Sequence, residues 1–287
     1  MCVGATPNAV GHDHDHGSAG FPGLNRRSFL KMGVTSVAAA ALMTVPAVPA
    51  LASNGKGKGK PGVVDLTHRL VPTFPSFLGP QQVFDEVLFT IPENGFYIKQ
   101  WTFSEHIGTH LDTPGHFSLG MTLVDALDPA TLIAPLAVID IKQKALANPN
   151  AMVEPSDLVA YERGHGRIPR GAVVCMNSGW ASKVNDGAAF LGGAGFPDLN
   201  FPGFSSDATD WLLAKRDIVG IGVDTTSLDP GNSADFAVHI SFLGSGRYGI
   251  ENLANLDDIP AKGARAFIGP IPWEEGSGSP CRVLAEV

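Results

Sequence analysis

The sequence predicts a mixed α/β (α+β) fold, in which helices flank the mixed β-sheet of one compact domain. Three observations support this prediction. Short apolar runs alternate with turn residues early in the chain, helical patterns alternate with apolar runs later, and the length beyond residue 52 suits one domain. No internal repeat or second domain boundary is evident in the sequence.

The first half of the domain is predicted to consist mainly of strands. Val63–Leu66 reads as a short strand, and residues 82–91 and 97–105 alternate well enough to pair as a hairpin. The hairpin turn is expected at residues 92–95, which contain Pro, Asn and Gly. An irregular loop is expected to follow the strand that ends near Glu105.

The second half is predicted to alternate between strands and helices. One helix is expected over 155–163, with Pro155 in its first turn, and another over 206–216, capped by Ser or Asp. Short apolar runs predict buried strands between them. These runs are 136–141, 172–177, 218–224 and 264–268.

The first 52 residues are interpreted as an export signal. Arg26 and Arg27 precede an apolar, alanine-rich run over 32–48, and Ala50 and Ala52 are small residues at alternate positions. This pattern is typical of a twin-arginine signal cleaved after Ala52. The alternative, a membrane anchor, is disfavoured because the run is short and interrupted by prolines. We expect a periplasmic or extracellular protein that is not stably anchored in a membrane after cleavage.

The charge of the remaining chain excludes some partners. Residues 1–52 hold three Arg/Lys and two Asp/Glu, so their removal changes the net charge from −8 to −9. Residues 53–62, rich in Gly and Lys, are expected to form a flexible leader, and residues 63–287 the domain. An acidic domain without a basic stripe is a poor partner for nucleic acid or anionic lipid.

Two cysteines remain after the predicted cleavage. Cys175 lies in an apolar run and is expected to be a buried free thiol. A disulfide between Cys175 and Cys281 stays open, whereas a scaffold built on several disulfides is excluded.

The segment 106–116 is the most informative part of the sequence. It contains His106, His110, Asp112 and His116, and such side chains hold Zn²⁺ or Mn²⁺. An extended chain would project all four from one face, with His106 and His110 about 13 Å apart. The intervening glycines and proline favour a curled, ligand-bearing loop instead. A histidine-rich surface loop is the alternative, but four candidate ligands on one face favour a metal site.

Two downstream segments are expected to complete the site. Residues 224–229 follow a predicted buried strand, the position at which open α/β sheets tend to bind ligands, although a polar turn is the alternative. The second segment contains His239 and Glu251. Each alone has an ordinary interpretation, as a core histidine or a surface carboxylate, so both gain weight only from their combination with segment 106–116.

Segment 106–116, HIGTHLDTPGH, resembles the signature of the cyclase family of metal-dependent hydrolases, which includes bacterial kynurenine formamidase and isatin hydrolase. The resemblance extends from Val64 to Leu284. It implies a compact, mixed α/β cyclase-family domain that forms homodimers or homotetramers.

The resemblance also implies a role for each candidate residue. The metal ligands would be His106 and His110 for one ion, Asp112 bridging two ions, His239 for the second ion, and Glu251 for one or both. His116 would be the general base or proton shuttle. Phe77 is the nearest match to the aromatic residue that contacts the substrate in the family.

These residues predict hydrolysis of an amide C–N bond in a small molecule, such as an aryl formamide, an isatin-like lactam or a cyclic imide. A divalent ion lowers the pKa of coordinated water towards about 7 and stabilises an oxyanion. A histidine outside the ligand set passes the proton to the leaving nitrogen. Zn²⁺ and Mn²⁺, and one or two ions, all fit the sequence. The alternatives are a metal-dependent lyase or cyclase, and an exported metal-binding or small-molecule-binding protein without turnover.

Aromatic residues are candidates for the lining of a substrate pocket, with core packing as the alternative for each. These residues are Phe77, Trp101, Phe103, Phe117 and Trp180.

Overall fold

The computed structural model describes residues 62–77, 79, 82–195 and 197–287. The predicted signal, 1–52, and nearly all of the predicted leader lie outside the described residues. Gly62, the last residue of that leader, exchanges two backbone hydrogen bonds with Val287. Gly62 therefore belongs to the domain rather than to the leader.

The described residues form one large mixed sheet and two small sheets. The strands of the large sheet are β1 (Val63–Asp65), β4 (His110–Asp112), β5 (Ile133–Asp140), β7 (Ala172–Asn177), β9 (Ile218–Val223), β10 (Tyr248–Glu251), β11 (Lys262–Pro270) and β12 (Gly278–Glu286). The small sheets pair β2 (Val83–Phe89) with β3 (Ile98–Phe103), and β6 (Met152–Val153) with β8 (Gly203–Phe204).

The large sheet closes on itself. Its strand order is β1-β12-β11-β5-β7-β9-β10-β4, and β4 also pairs with β12. Strands β5, β7, β9 and β10 run parallel to their neighbours in that group, and the other pairings are antiparallel. The predicted mixed α/β class is thus confirmed, and the barrel-like closure is a feature that the sequence did not predict.

Short helices connect the strands. The α-helices are Ile91–Asn94, Lys142–Ala147, Pro155–His165, Gly187–Leu191 and Ser206–Lys215, and a π-helical turn covers His239–Leu243. The 3₁₀ turns are Pro114–His116, Val124–Ala126, Pro129–Leu132, Trp180–Lys183 and Leu256–Asp258. Among the described helices, none combines the length and the apolar character that a membrane crossing requires.

The ends of these helices follow from local chemistry. Ser205 caps the last α-helix by accepting a hydrogen bond from the backbone of Ala208. The helix over Ile91–Asn94 replaces the simple turn predicted for the β2–β3 hairpin, and it ends at Gly95, whose φ is +83°. Glycine adopts this left-handed conformation without steric cost.

The core consists of apolar clusters on the two faces of the parallel strands. On β7, Val174 and Met176 pack on the face that carries Leu158 and Leu212 of the longer helices, whereas Val173 packs on the opposite face. Burial on both faces explains why this strand reads as a continuous apolar run.

Cys175 and Cys281 are both buried free thiols in the same apolar cluster. Burial raises the pKa of each thiol to about 12, so both stay protonated at neutral pH. The disulfide that the sequence left open is not formed.

Candidate metal centre

Strand β4 forms the centre of the candidate site. It is paired on both edges, because His110 lies opposite Glu251 of β10 and opposite Pro280 of β12. This pairing corrects the prediction of an irregular loop. Backbone hydrogen bonds to two neighbours hold the three residues extended despite the nearby glycine and proline, so His110 and Asp112 project from one face.

The first group of candidate ligands converges on one oxygen of Asp112. His106 Nδ1 lies 2.7 Å from Asp112 Oδ1, and His110 Nε2 lies 3.2 Å from the same atom. The other ring nitrogen of His110, Nδ1, is 2.9 Å from the carbonyl oxygen of Gly108. With Nδ1 as the donor in that hydrogen bond, the Nε2 lone pair faces Asp112.

The second group shares Asp112 with the first. His239 Nε2 lies 3.1 Å from Glu251 Oε1 and 3.7 Å from Asp112 Oδ2. The other oxygen of Glu251 lies 3.4 Å from His110 Nε2. Within each group the candidate ligand atoms lie within 4.8 Å of one another. All five predicted ligands therefore meet at one place, although they come from three separate parts of the chain.

The residues present fit a divalent cation. Asp112 Oδ2 is buried and has no hydrogen-bond partner, which is unusual for a carboxylate oxygen. Imidazole nitrogens and carboxylate oxygens surround it, and this donor set suits a cation such as Zn²⁺ or Mn²⁺.

The buried carboxylates of the cluster favour the binding of positive charge, either as protons on the histidines or as a cation. Burial alone would raise the pKa of Asp112, but His110 and the hydrogen bond with His106 hold that pKa well below its usual range. Burial raises the pKa of Glu251, and the charge of Asp112 acts in the same direction. Burial opposes a charged His110, yet Asp112 and Glu251 raise its pKa to about 9. Protons or a metal cation would both stabilise these carboxylates.

Polar partners orient two of the candidate ligands from outside. Asp229 Oδ2 lies 2.6 Å from His239 Nδ1, and Asp229 also accepts backbone N–H bonds from Val238 and His239. Ser277 Oγ lies 2.9 Å from His106 Nε2 and donates a hydrogen bond to the Glu105 carboxylate. Such outer contacts fix the tautomer and ring orientation of metal-binding histidines.

Glycine at position 278 gives the His106 ring its space. Gly278 lies opposite Asp112 in the β4–β12 pairing, and a Cβ atom there would come within 2.4 Å of His106 Cε1. Any larger residue would displace the ring from the ligand cluster.

His116 lies beside the ligand cluster rather than in either ligand group. Its ring stacks on that of His106, with centroids 3.8 Å apart and planes 23° from parallel. Burial lowers the pKa of His116 to about 4, against the opposing effect of Asp112. The ring is therefore neutral at pH 7 and able to accept a proton.

The ligands and His116 line a cavity of about 220 Å³ whose opposite wall is aromatic. Phe236 makes that wall with Phe77 and Phe117, at ring-centroid distances of 5.8 and 5.7 Å. Phe236 was missed in the sequence, although it lies three residues before His239. Thr226 and Ser227 add polar lining.

The other predicted pocket residues lie elsewhere. Trp101 and Phe103 belong to the β2–β3 hairpin, and Trp180 is buried in a separate apolar cluster. These three candidates therefore do not line this cavity, and Trp180 follows the core-packing alternative.

The two carboxylates of segment 224–229 lie in different places and have different partners. Its last residue, Asp229, orients His239 as described, whereas Asp224 accepts hydrogen bonds from Ser178 and from the backbone of Trp180. Burial raises the pKa of Asp224 to about 6. Asp224 thus supports a neighbouring turn and does not enter the ligand cluster.

Comparison with known proteins gives the context of this site. A family model named Cyclase, described as "Putative cyclase", matches residues 64–230. Isatin hydrolase from Roseibium aggregatum is 37% identical over 201 residues, which cover 67% of this chain and 76% of that protein. Kynurenine formamidase from Polaromonas naphthalenivorans is 28% identical over 188 residues, 65% of this chain and 73% of that protein.

A solved structure agrees with these sequence matches. Isatin hydrolase A from Ralstonia solanacearum superimposes with a TM-score of 0.73 at 36% identity, over 79% of this chain and 92% of that one. The family match covers more than half of the chain and includes segment 106–116. The chain therefore belongs to the cyclase family of metal-dependent hydrolases.

Proposed function

We propose that this protein hydrolyses the C–N bond of a small aromatic amide, either a cyclic one such as an isatin-like lactam or an open one such as an aryl formamide. It is a metal-dependent hydrolase of C–N bonds other than peptide bonds, and its relatives include proteins named isatin hydrolase and kynurenine formamidase. The observation that carries the proposal is the sharing of Asp112 by two ligand groups beside the neutral His116.

The cavity supports a small, flat substrate. Its volume of about 220 Å³ is below the range usual for drug-sized ligands. Phe77, Phe117 and Phe236 give an aromatic ring a surface on which to stack, while the ligand cluster faces it. A planar aromatic ring would therefore stack on the phenylalanine wall while its amide group faces the ligand cluster.

The proposal assigns metal binding, proton transfer and orientation of the ligand rings to different residues. His106, His110, Asp112, His239 and Glu251 would hold the cation. A divalent cation bound there supplies Lewis-acid activation of water and of the scissile carbonyl. His116 takes the proton of the attacking water and delivers it to the leaving nitrogen. Asp229 and Ser277 keep the ligand rings oriented.

An activity screen tests the proposal. We expect the purified protein, supplied with Zn²⁺ or Mn²⁺, to open isatin-like lactams or cyclic imides, or to deformylate formyl-anilines. A chelator should abolish the activity and added metal should restore it. A fully metal-loaded protein that binds these amides but turns none of them over would instead be a binding protein.

Isotope labelling separates hydrolysis from the lyase or cyclase alternative. In ¹⁸O-labelled water, hydrolysis places one labelled oxygen in the carboxylate or formate product. A product formed by ring closure or elimination carries no label at that carbon.

The identity and number of the ions are part of the proposal. We infer Zn²⁺ or Mn²⁺, because both suit imidazole and carboxylate donors and availability can decide between them. Elemental analysis of the purified protein gives the metal, and titration of the metal-stripped protein gives one or two equivalents. A monovalent ion, or no binding at all, would contradict the inference.

We also propose that the protein is exported by the twin-arginine route. The support is the sequence around Arg26 and Arg27 and the small residues before Ser53. We expect the periplasmic or extracellular form to begin at Ser53. An Arg26→Lys, Arg27→Lys double variant should stay in the cytoplasm with its signal attached, and export of that variant would refute this route.

A further inference from the structure

A second cavity adjoins the cavity that the ligand cluster lines. Its volume is about 240 Å³, and most of the loop over residues 230–236 borders it, so it is called the loop cavity below. The cavity beside the ligand cluster is called the reaction cavity. Phe77, Ser227 and Phe236 line both cavities. These three shared side chains form a common wall between the two spaces.

Phe236, in the shared wall, has a strained backbone. Its φ is +52°, which is a rare value for a bulky side chain. Such a conformation costs free energy, and residues held in this way cluster at active sites and ligand-binding sites. The Phe236 ring lies 5.8 Å from that of Phe77, 5.7 Å from that of Phe117 and 5.9 Å from that of His239, between ring centroids. The strained backbone therefore holds an aromatic ring at the junction of the two cavities.

The loop that borders the second cavity is fixed at both ends. Gly231 donates a backbone hydrogen bond of 2.8 Å to Phe201, and a Cβ atom at Gly231 would come within 2.6 Å of the Phe201 nitrogen. At the other end, the backbone of Val238 donates a bond of 2.9 Å to Asp229 Oδ1, and Ser233 Oγ lies 3.4 Å from the same oxygen. The loop cavity is thus a preformed space, as ligand pockets usually are.

The lining of the loop cavity is uncharged among the residues that the structure describes. It combines aromatic and proline surface with a few hydroxyl and amide groups, which come from Phe77, Phe201, Phe236, Pro230, Asn232 and Ser233. Burying an ionised group without a partner is costly, whereas a neutral ring gains free energy by leaving water. This lining therefore favours a neutral group over an ionised one.

The two volumes suit two parts of one ligand. A cavity of about 150 Å³ is large enough to hold a benzene ring. The loop cavity, at about 240 Å³, exceeds that size, and the reaction cavity has about 220 Å³ for the amide. The reaction cavity alone falls below the range of about 300–1,000 Å³ that is usual for ligand sites, whereas the two cavities together lie within it.

We propose that the substrate is an aromatic amide with a neutral, ring-sized substituent, and that this substituent occupies the loop cavity while the amide faces the ligand cluster. Phe77 and Phe236 then contact the substrate where its two parts join. The inference rests on the proposed function, because it names the substrate class of that reaction. It makes the loop cavity a specificity subsite that contacts the substituent and not the reacting bond.

Steady-state kinetics of the metal-loaded, full-length protein test the substrate class. The probes are isatin and formanilide, each compared with derivatives that carry one phenyl group at each position of the benzene ring. We expect at least one phenyl derivative to have a kcat/KM at least tenfold above that of its unsubstituted parent, since burial of one ring corresponds to roughly ten- to hundredfold. A carboxyphenyl or trimethylammoniophenyl group at the same position should lose this advantage. Turnover of the unsubstituted amides with no gain from phenyl at any position would overturn the subsite and leave the proposed function intact.

A variant that fills the loop cavity tests where the substituent binds. Ala234 lines the loop cavity and does not line the reaction cavity. In Ala234→Trp, the ratio of kcat/KM between the phenyl derivative and its unsubstituted parent should fall to about one. The matched control is Ala188→Trp, at an exposed helix position outside both cavities, which should keep the parent protein's ratio. An unchanged ratio in Ala234→Trp would overturn the assignment of the loop cavity.

Calorimetric titration gives a measurement that does not depend on turnover. The metal-loaded His116→Ala variant, in which hydrolysis should be slow, should bind the phenyl derivative at least tenfold more tightly than the unsubstituted amide. Adding Ala234→Trp to this variant should remove the difference. Equal affinities would overturn the subsite. Tighter binding that depends on Ala234, in a parent protein that turns over none of these amides, would refute the hydrolase function and leave the loop cavity as a binding site.

Discussion

The ligand cluster and the β2–β3 hairpin depart from ordinary burial in opposite directions. The cluster buries the carboxylates of Asp112 and Glu251, whereas the hairpin exposes aromatic side chains such as Phe84 and Tyr97. Burying charge is costly unless the charge is paired, and exposing a large apolar surface is costly unless it is covered. The buried carboxylates therefore indicate a partner of defined chemistry, namely a cation.

The two regions also differ in how the chain supports them. Strand β4 is paired on both edges, and outer residues such as Asp229 fix the ligand rings. The hairpin is attached to the domain only through its base at Val83 and Phe103. A chemical site needs preorganised side chains, and the pairing of β4 on both edges supplies that order at the cluster.

The largest loss of metal content and turnover is expected from a substitution at Asp112, the centre of the ligand cluster. Asp112→Ala removes the residue shared by both ligand groups, so metal content and turnover should be lost together. The metal-free protein should also lose about 3–5 kcal/mol of unfolding free energy, because buried histidines are left without their carboxylate. Elemental analysis and urea unfolding measure both effects, and the exposed Asp210→Ala is the control. Retention of full metal content would contradict the assignment of Asp112 as a shared ligand.

The next effect separates the proton-transfer role from metal binding. His116→Ala should lower turnover by roughly 10²–10⁴, the usual range for loss of an acid–base group, and leave metal content unchanged. Steady-state kinetics with elemental analysis measures this, and the exposed His165→Ala serves as the control. If His116→Ala also removed the metal, His116 would have to be reassigned as a ligand.

A smaller effect is expected one step outside the ligands. Asp229→Asn leaves the backbone contacts largely possible but can no longer accept a charge-assisted hydrogen bond from His239 Nδ1. Metal affinity should fall about 10–100-fold, as is typical for such outer partners. Competition with a chromophoric chelator measures the affinity. The control is Asp235→Asn in the same loop, which is exposed, and an equal loss in that variant would argue against a specific role for Asp229.

The smallest expected change is in the unfolding free energy of a hairpin variant, and a core variant provides the comparison. Phe84→Ser should change the unfolding free energy by no more than about 0.5 kcal/mol, since the side chain is 53% exposed. Phe204→Ala, at a fully buried position, should cost about 3–5 kcal/mol. Urea unfolding of both variants makes the comparison. A large loss for Phe84→Ser would mean that this side chain is covered in solution.

Local sequence predicted the elements whose burial is uniform. Strand β7 was predicted with its observed bounds, and β5 and the helix over Pro155–His165 differ only at their ends. A strand buried on both faces gives a continuous apolar run, and a proline at the first turn marks a helix start. These signals need no knowledge of distant residues.

Other elements depend on their neighbours. Strand β12 begins with Gly-Ser-Pro, which is typical of a turn, and it is a strand because β11, β1 and β4 pair with it. Strand β4 was predicted as a loop for the same reason. The role of Asp229 and the position of Phe236 likewise follow from contacts across the fold rather than from a local pattern.

The sequence by itself determined which side chains are available for metal chemistry, because the spacing of His106, His110 and Asp112 is characteristic and a strand places alternate residues on one face. Only the tertiary structure decided that His239 and Glu251 join them and that Asp112 serves both groups. The reason is physical. Those distances are set by the closure of the sheet through β4, and closure depends on backbone pairing between segments far apart in the chain.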